Sequence, residues 1–180
     1  MRLFLALDLP DAVRSSLAVQ QFLLPIPDPV PPERFHITLC FLGEVTDLQA
    51  EALHERLEPL RFAPFSVELQ GFGLFGKEKP RSVWAAVAPS PALIHLQGKL
   101  AQAARLSGLR LEARKFVPHV TLARFSALQM PDAPRLERAV IAQAGYRSGP
   151  IEVRGFHLCE SVLYAKEPHY DILASYPARG

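Results

Sequence analysis

Short apolar runs alternate with amphipathic stretches along this chain, and two of the runs share one pattern. Residues 2–10 read Arg-Leu-Phe-Leu-Ala-Leu-Asp-Leu-Pro, and residues 81–89 read Arg-Ser-Val-Trp-Ala-Ala-Val-Ala-Pro. Each run predicts a strand that ends at proline, because proline has no amide hydrogen to donate to a sheet. A helix is predicted after each strand, over about 11–23 and 90–107, where apolar residues recur every three or four positions.

Further elements follow from the same kinds of pattern. Apolar spacing after Asp47 predicts another helix that begins at that residue, and the helix after the second strand should begin at Ser90 or Pro91. Runs rich in Val, Phe, Ile and Leu predict strands over 64–72 and 151–159, and a last strand is expected near 169–176.

The chain contains an internal repeat. Besides the two first strands, at an offset of 79, His36-Ile-Thr-Leu matches His119-Val-Thr-Leu at an offset of 83, and residues 67–72 match 151–156 at an offset of 84. Matches with slowly growing offsets indicate one duplicated unit with small insertions. We therefore expect an α+β fold with two pseudo-symmetric lobes, each a small, mostly antiparallel sheet backed by helices, around a central cleft. Residues 1–180 would form one bilobal domain, with units starting near 2 and 81.

The repeated His-x-Thr motif carries the candidate chemistry. Side chains alternate along a strand, so His36 and Thr38 share one face, as do His119 and Thr121. Pseudo-symmetry would bring two imidazoles and two hydroxyls around one cleft. One imidazole would take a proton from water and the other would protonate a departing alkoxide, since both titrate near neutral pH. The hydroxyls would donate to phosphate oxygens, so the pattern suits metal-free attack on a phosphodiester such as a 2′,3′-cyclic phosphate.

Coincidence is a poor explanation of the motif, because the chain has 6 histidines and only three threonines, and two of those threonines follow a histidine by two positions. Two other interpretations remain. The duplication copied a packing motif, or the histidines bind a metal ion. The metal interpretation lacks a third ligand, because no Asp, Glu or Cys recurs with the motif.

Charge and composition narrow the classes of partner and the cellular location that we expect, but they identify no single partner. The net charge of +2 and the pI of about 8.7 allow an anionic substrate but differ from the concentrated charge of proteins that coat nucleic acid. The first apolar run meets Asp8 and Pro10 after six residues, so we read it as a strand and not as a signal peptide. Two cysteines do not make a disulfide scaffold, and no apolar segment reaches the length of a membrane span. We expect a cytoplasmic monomer with reduced thiols and no membrane partner.

The segments "RLFLALDLP", "VPPERFHITLCFLGEV" and "FVPHVTLARF" resemble the RNA 2′,3′-cyclic phosphodiesterases, also called 2′-5′ RNA ligases, of the two-histidine phosphoesterase superfamily. The resemblance covers nearly the whole chain, although Ala-Lys-Glu-Pro at 165–168 replaces the family's glycine-containing turn. It implies a bilobal fold and hydrolysis of a terminal RNA 2′,3′-cyclic phosphate to a 2′-phosphate, without metal or nucleotide cofactor. It also implies a reverse activity that joins RNA ends through a 2′-5′ bond.

The resemblance further implies that Phe41 and Arg124 hold the substrate by base stacking and by phosphate or base contact. Each lies five residues after its histidine, so simple alternation points it away from the histidine face unless the strand bulges. Their alternatives are a core position and a solvated rim. Arg34, Arg114 and Lys115 are candidates for extending the positive potential, with solvated surface as the alternative.

Two other functions stay open at this point. One is a phosphodiesterase that acts on a cyclic nucleotide or on ADP-ribose cyclic phosphate, which presents the same phosphate to the same side chains. The other is a non-catalytic module that binds RNA ends.

Overall fold

Eight strands and four helices make up the part of the chain that the computed structural model describes, residues 1–76, 78–164 and 167–180. The strands are β1 (Arg2–Leu7), β2 (Ile37–Glu44), β3 (Phe65–Phe75), β4 (Ser82–Val87), β5 (His119–Arg124), β6 (Arg147–Val153), β7 (Gly155–Tyr164) and β8 (Glu167–Pro177). The helices are α1 (Asp11–Phe22), α2 (Asp47–Leu57), α3 (Pro91–Leu106) and α4 (Ala133–Ala142). Ala165 and Lys166, part of the segment that departs from the family pattern, lie outside the described residues.

The strands form two antiparallel sheets of four, in the orders β2-β1-β7-β8 and β5-β4-β3-β6. The two strands that carry the histidine motif are therefore edge strands, one in each sheet. Each first strand pairs with its histidine strand, β1 with β2 and β4 with β5. The expected α+β class with two mostly antiparallel sheets is confirmed.

The predicted helices form where apolar spacing places them. The amide of Gln49 donates to the hydroxyl of Thr46 and the Gln49 side chain accepts from the Thr46 amide, so Thr46 caps α2, which begins at Asp47. Ser90 caps α3 through a bond from the amide of Leu93, and α3 begins at Pro91. None of the described helices combines the length and apolar character needed to cross a membrane.

The first strand is apolar throughout because both of its faces are covered. Leu3, Leu5 and Leu7 point into the main core between the sheets and helices. Phe4 and Ala6 point the other way and form a second cluster with Cys159, against which Tyr170 packs. This second cluster is the floor beneath the first histidine motif.

The prediction of a single strand over residues 151–159 is wrong. β6 ends at Val153 and pairs with β3, whereas β7 begins at Gly155 and pairs with β1 in the other sheet. The chain crosses between the sheets at Arg154. A Cβ atom at Gly155 would lie 2.8 Å from the carbonyl oxygen of Tyr176, so the crossing needs a glycine.

Core packing near this crossing gives a stability prediction. Phe156 is fully buried and its ring stacks on that of Tyr176 at 4.9 Å. Phe156→Ala should lower the free energy of unfolding by about 3–5 kcal/mol, because it removes apolar burial and leaves a cavity. Urea denaturation measures this, with Phe22→Ala as the control. Phe22 is 87% exposed, and its replacement should change the value by no more than about 0.5 kcal/mol. Equal losses in both variants would contradict the packing described.

Candidate active site

The two histidine motifs face a common cleft between the edge strands β2 and β5. His36, Thr38, His119, Thr121 and Arg124 line a cavity of about 480 Å³. Four of these, Thr38, His119, Thr121 and Arg124, also line an adjoining cavity of about 600 Å³, whose wall includes Phe41. The structure thus brings together all six residues singled out from the sequence.

Both imidazoles are oriented by the same kind of backbone contact. The Nδ1 atom of His36 lies 2.7 Å from the carbonyl oxygen of Arg34, and that of His119 lies 2.6 Å from the carbonyl oxygen of Val117. A carbonyl oxygen only accepts, so each Nδ1 must carry the proton and donate it. In the neutral ring this leaves the Nε2 lone pair for chemistry. In the first motif Nε2 lies 3.0 Å from the Thr38 hydroxyl, which donates to it.

Arg14 of α1 holds the turn that leads into His36. Its guanidinium donates to the carbonyl oxygens of Pro32 at 2.9 Å, Phe35 at 3.0 Å and Leu9 at 3.1 Å, and it pairs with Asp8. These bonds fix the 3-10 turn over Pro32–Arg34, whose last residue supplies the carbonyl that orients the imidazole. Sequence reasoning missed Arg14, since its partners are backbone atoms far along the chain.

Aromatic rings pack against both histidines. His36 contacts Phe4 with ring centroids 5.1 Å apart and Tyr170 at 5.0 Å. His119 contacts Phe75 at 5.2 Å and Trp84 at 5.6 Å. Phe4 lies in β1 and Trp84 in β4, the first strands of the two repeat units, so the repeat contained a signal for this pair. An alignment at an offset of 79 does not show the match, because it places Phe4 opposite Val83 and not opposite Trp84.

Burial lowers the pKa of both imidazoles. For His36, removal from water lowers the pKa below 6.5, the hydrogen bond to the Arg34 carbonyl opposes this, and the charges of Arg124 and Arg14 lower the pKa further. Burial also lowers the pKa of His119, against the bond to the Val117 carbonyl and with the help of Arg124 and Arg114. Both rings are therefore neutral at pH 7 when the cleft is empty.

Bulges in β2 and β5 bring Phe41 and Arg124 to the histidine face. Thr38 pairs with Ala6 but Cys40 pairs with the preceding Leu5, so Leu39 is an extra residue. Leu122 is extra in β5, between Thr121 opposite Trp84 and Ala123 opposite Val83. Each bulge reverses the alternation beyond it. Simple alternation is therefore wrong at these two positions.

The exposure of the two residues agrees with this change of phase. Phe41 is 50% exposed and lines the cleft, which excludes the core position considered for it. Arg124 lines both cavities rather than a remote rim.

The two cavities differ in chemical character. The first, here the proline chamber, is lined by Pro29, Pro31, Pro168 and Tyr170, together with Arg34. The second, here the basic chamber, is lined by five basic residues and one acidic residue: Arg81, Arg105, Arg114, Lys115, Arg124 and Glu112.

Arg105 reaches the basic chamber from one face of α3. Gln97, Ala101 and Arg105 follow each other at four-residue spacing, and all three line the chamber. Sequence reasoning missed Arg105 because this helix carries polar residues on several faces. Arg114 ion-pairs with Glu112, and its guanidinium carbon lies 6.0 Å from the centre of the Phe41 ring. Arg34 lines the proline chamber, and Arg114 and Lys115 line the basic chamber.

No group of three or more His, Cys, Asp or Glu side chains arranged to hold a metal ion occurs within residues 1–76, 78–164 and 167–180. Cys40 and Cys159 are buried, and burial raises the pKa of each thiol to about 11.

The lowered histidine pKa values predict a definite pH response. Proton NMR should give midpoints below 6.5 for His36 and His119. Between those midpoints and 6.5, the unfolded chain binds protons that the folded chain does not. As far as these two histidines affect it, the free energy of unfolding should therefore be highest above about pH 7. It should fall as the pH drops through this window. His36→Gln should make the free energy of unfolding depend less steeply on pH in this window. Titration midpoints at or above 6.5 for the two histidines would contradict the burial described.

The sequence is similar to a known family and to several of its members. Residues 9–163 match the model of the 2′-5′ RNA ligase superfamily. An RNA 2′,3′-cyclic phosphodiesterase of Thermus thermophilus is 36% identical, covering 100% of this chain and 91% of that protein. One from Archaeoglobus fulgidus is 32% identical over 94% of this chain and 96% of its own length.

Solved structures give the same result. Escherichia coli LigT complexed with 3′-AMP superposes with a TM-score of 0.82 at 28% identity and covers 99% of this chain and 98% of that one. A Thermus thermophilus structure matches at 32% identity with a TM-score of 0.76, covering 100% and 99%. Family model, relatives and fold agree over nearly the whole length, so this chain belongs to the 2′-5′ RNA ligase superfamily, among the RNA 2′,3′-cyclic phosphodiesterases.

Proposed function

We propose that this chain hydrolyses a terminal 2′,3′-cyclic phosphate of RNA to a 2′-phosphate, with His36 and His119 as a general acid/base pair and no metal ion. The observation that carries the proposal is the orientation of the imidazoles. Each Nδ1 is committed to a backbone carbonyl, so each Nε2 remains for substrate, that of His36 once the Thr38 hydroxyl turns from it to the phosphate. Two groups that accept or donate one proton near neutral pH, on either side of one phosphate, supply what the reaction needs.

The bond changes follow from this arrangement. The Nε2 atom of one imidazole takes a proton from water as the water oxygen attacks phosphorus. The P–O3′ bond breaks, and the other imidazole, in its protonated form, gives its proton to O3′. The 2′-phosphate remains, and proton exchange restores the pair. A ribose 5′-hydroxyl in place of water would form a 2′-5′ bond by the same steps.

The phosphate itself helps to set the protonation states. Burial keeps both rings neutral in the empty cleft, yet the reaction needs one of them protonated. A bound phosphate anion favours the charged form of a nearby imidazole. The Thr38 and Thr121 hydroxyls and the Arg124 guanidinium would donate to the non-bridging oxygens as negative charge grows.

The basic chamber favours RNA over a free cyclic nucleotide or ADP-ribose cyclic phosphate. Its five basic residues exceed what one phosphate requires, and they come from separate elements, with Arg105 on α3 and Arg114 and Lys115 in the segment before β5. A chain of phosphodiesters would follow such a surface, while the half-exposed Phe41 ring offers a stacking face for a base.

The first test uses the purified protein treated with EDTA and a short RNA that ends in a 2′,3′-cyclic phosphate. The expected product is the 2′-phosphate, and His36→Ala and His119→Ala should each lower kcat by about 10²–10⁴-fold. Thr38→Val and Thr121→Val should cost less. The control is His95→Ala, at an exposed position of α3. Near-wild-type rates in either cleft variant would refute the mechanism, and binding without turnover would indicate an RNA-end binding module.

A second test addresses the basic chamber. Arg105→Ala should raise KM for an oligonucleotide but not for a cyclic mononucleotide, whose single phosphate is held at the histidines. The slope of log affinity against log salt should become shallower by about 0.7 for each lost phosphate contact. Arg138→Ala, which removes an exposed arginine of α4, is the matched control. Turnover of cyclic mononucleotides alone would keep the mechanism and reject RNA as the substrate.

A further inference from the structure

Gln21 is a buried polar residue outside the cleft. Its side chain lies in the last turn of α1 and is only 6% exposed. A buried amide is costly unless it is hydrogen-bonded. The Nε2 atom of Gln21 donates to the carbonyl oxygens of Val30 and Leu122, both at 2.8 Å. One side chain thus joins the helix, the proline-rich connector and β5.

The Leu122 carbonyl belongs to the bulge that reverses the alternation of β5. A bulge leaves a residue outside the regular ladder, and β5 is an edge strand, so this carbonyl has no neighbouring strand on its outer side. The connector supplies the missing partner. The amide of Val30 donates to the same oxygen at 2.8 Å, and Pro29 forms an isolated bridge with Ala123.

The direction of Arg124 depends on this bulge. A shift of one residue in a strand turns every following side chain to the opposite face. If Leu122 returned to the regular ladder, Arg124 would leave the histidine face. The two donors on the Leu122 carbonyl therefore stabilise the backbone geometry that places a guanidinium in the cleft.

The second half of the repeat lacks this amide. Helix α3 packs against β2. Helices α1 and α3 begin 80 residues apart, as Phe4 and Trp84 lie, and this offset places Ala101 opposite Gln21. Ala101 is buried and apolar. The amide is therefore a feature of one half only and is not a copied packing position.

We propose that Gln21 is a positioning residue: its amide holds the bulge at Leu122 and thereby the Arg124 side chain in the cleft. This rests on the proposed function only in that Arg124 contacts the substrate phosphate. Gln21 itself does not line either chamber.

The test is a double-mutant cycle in the full-length protein. Gln21→Met keeps the length of the side chain and removes both donors. It should lower kcat/KM on the cyclic-phosphate RNA by about 10-fold in the wild-type background and by less than about 2-fold in the Arg124→Ala background. A loss of general stability would act alike in both backgrounds, so this coupling separates positioning from a merely structural role.

Ser16→Ala is the matched control on the same helix. It removes the bond between the Ser16 and Tyr146 hydroxyls, 3.0 Å apart, without touching β5. It should leave kcat/KM unchanged and show no coupling to Arg124→Ala. Thermal unfolding of every variant shows how far each change loosens α1.

A second variant covers the case in which Gln21→Met does not fold. Val30→Pro removes the other donor to the Leu122 carbonyl and should couple to Arg124→Ala in the same way. Equal losses with and without Arg124, or a folded Gln21→Met variant of wild-type rate, would overturn the inference.

The affinity for an RNA carrying the 2′-phosphate product gives a readout that does not need turnover. If the Gln21 and Arg124 substitutions are coupled in their effect on this Kd but the protein shows no turnover, the phosphodiesterase is rejected and the positioning role stands. If the protein shows turnover without coupling, the phosphodiesterase stands and the positioning role is rejected.

Discussion

A β-strand presents every second side chain to one face, and this alternation constrains the whole cleft. A histidine and a threonine two positions apart satisfy it, but a residue five positions after the histidine does not. In both edge strands one extra residue, Leu39 or Leu122, changes the phase. Without these bulges Phe41 and Arg124 would lie under the sheets, and the cleft would lose an aromatic surface and a fixed positive charge.

Burial of the imidazoles is the second condition on the site. The rings lie against Phe4 and Tyr170 on one side of the cleft and against Phe75 and Trp84 on the other. This packing holds the rings in place and lowers their affinity for protons, while the backbone carbonyls determine which nitrogen remains for chemistry. Orientation, tautomer and proton affinity thus follow from contacts that do not involve substrate.

Local patterns in the sequence were enough for the parts of this site that local contacts determine. The repeat predicted that His36 and His119 would meet, and helical spacing and capping residues predicted where α2 and α3 begin. The crossing at Arg154 could not be read in this way, because the apolar pattern continues through it while the pairing partners change. Arg14 and Gln21 were missed for a related reason: they bind backbone atoms, which leave no signature in residue type.

The order of the strands also bears on how such a fold could arise from a shorter chain. β3 belongs to the first half of the repeat but pairs with β4 and β6, and β7 belongs to the second half but pairs with β1. In a chain of half this length, the third strand would find no partner in its own copy. Such a chain would have to fold as an interlocked pair in which each copy lends a strand to the other. Fusion into one polypeptide makes that exchange intramolecular and lets the two halves differ, as they do where the proline-rich connector pairs with the edge of β5.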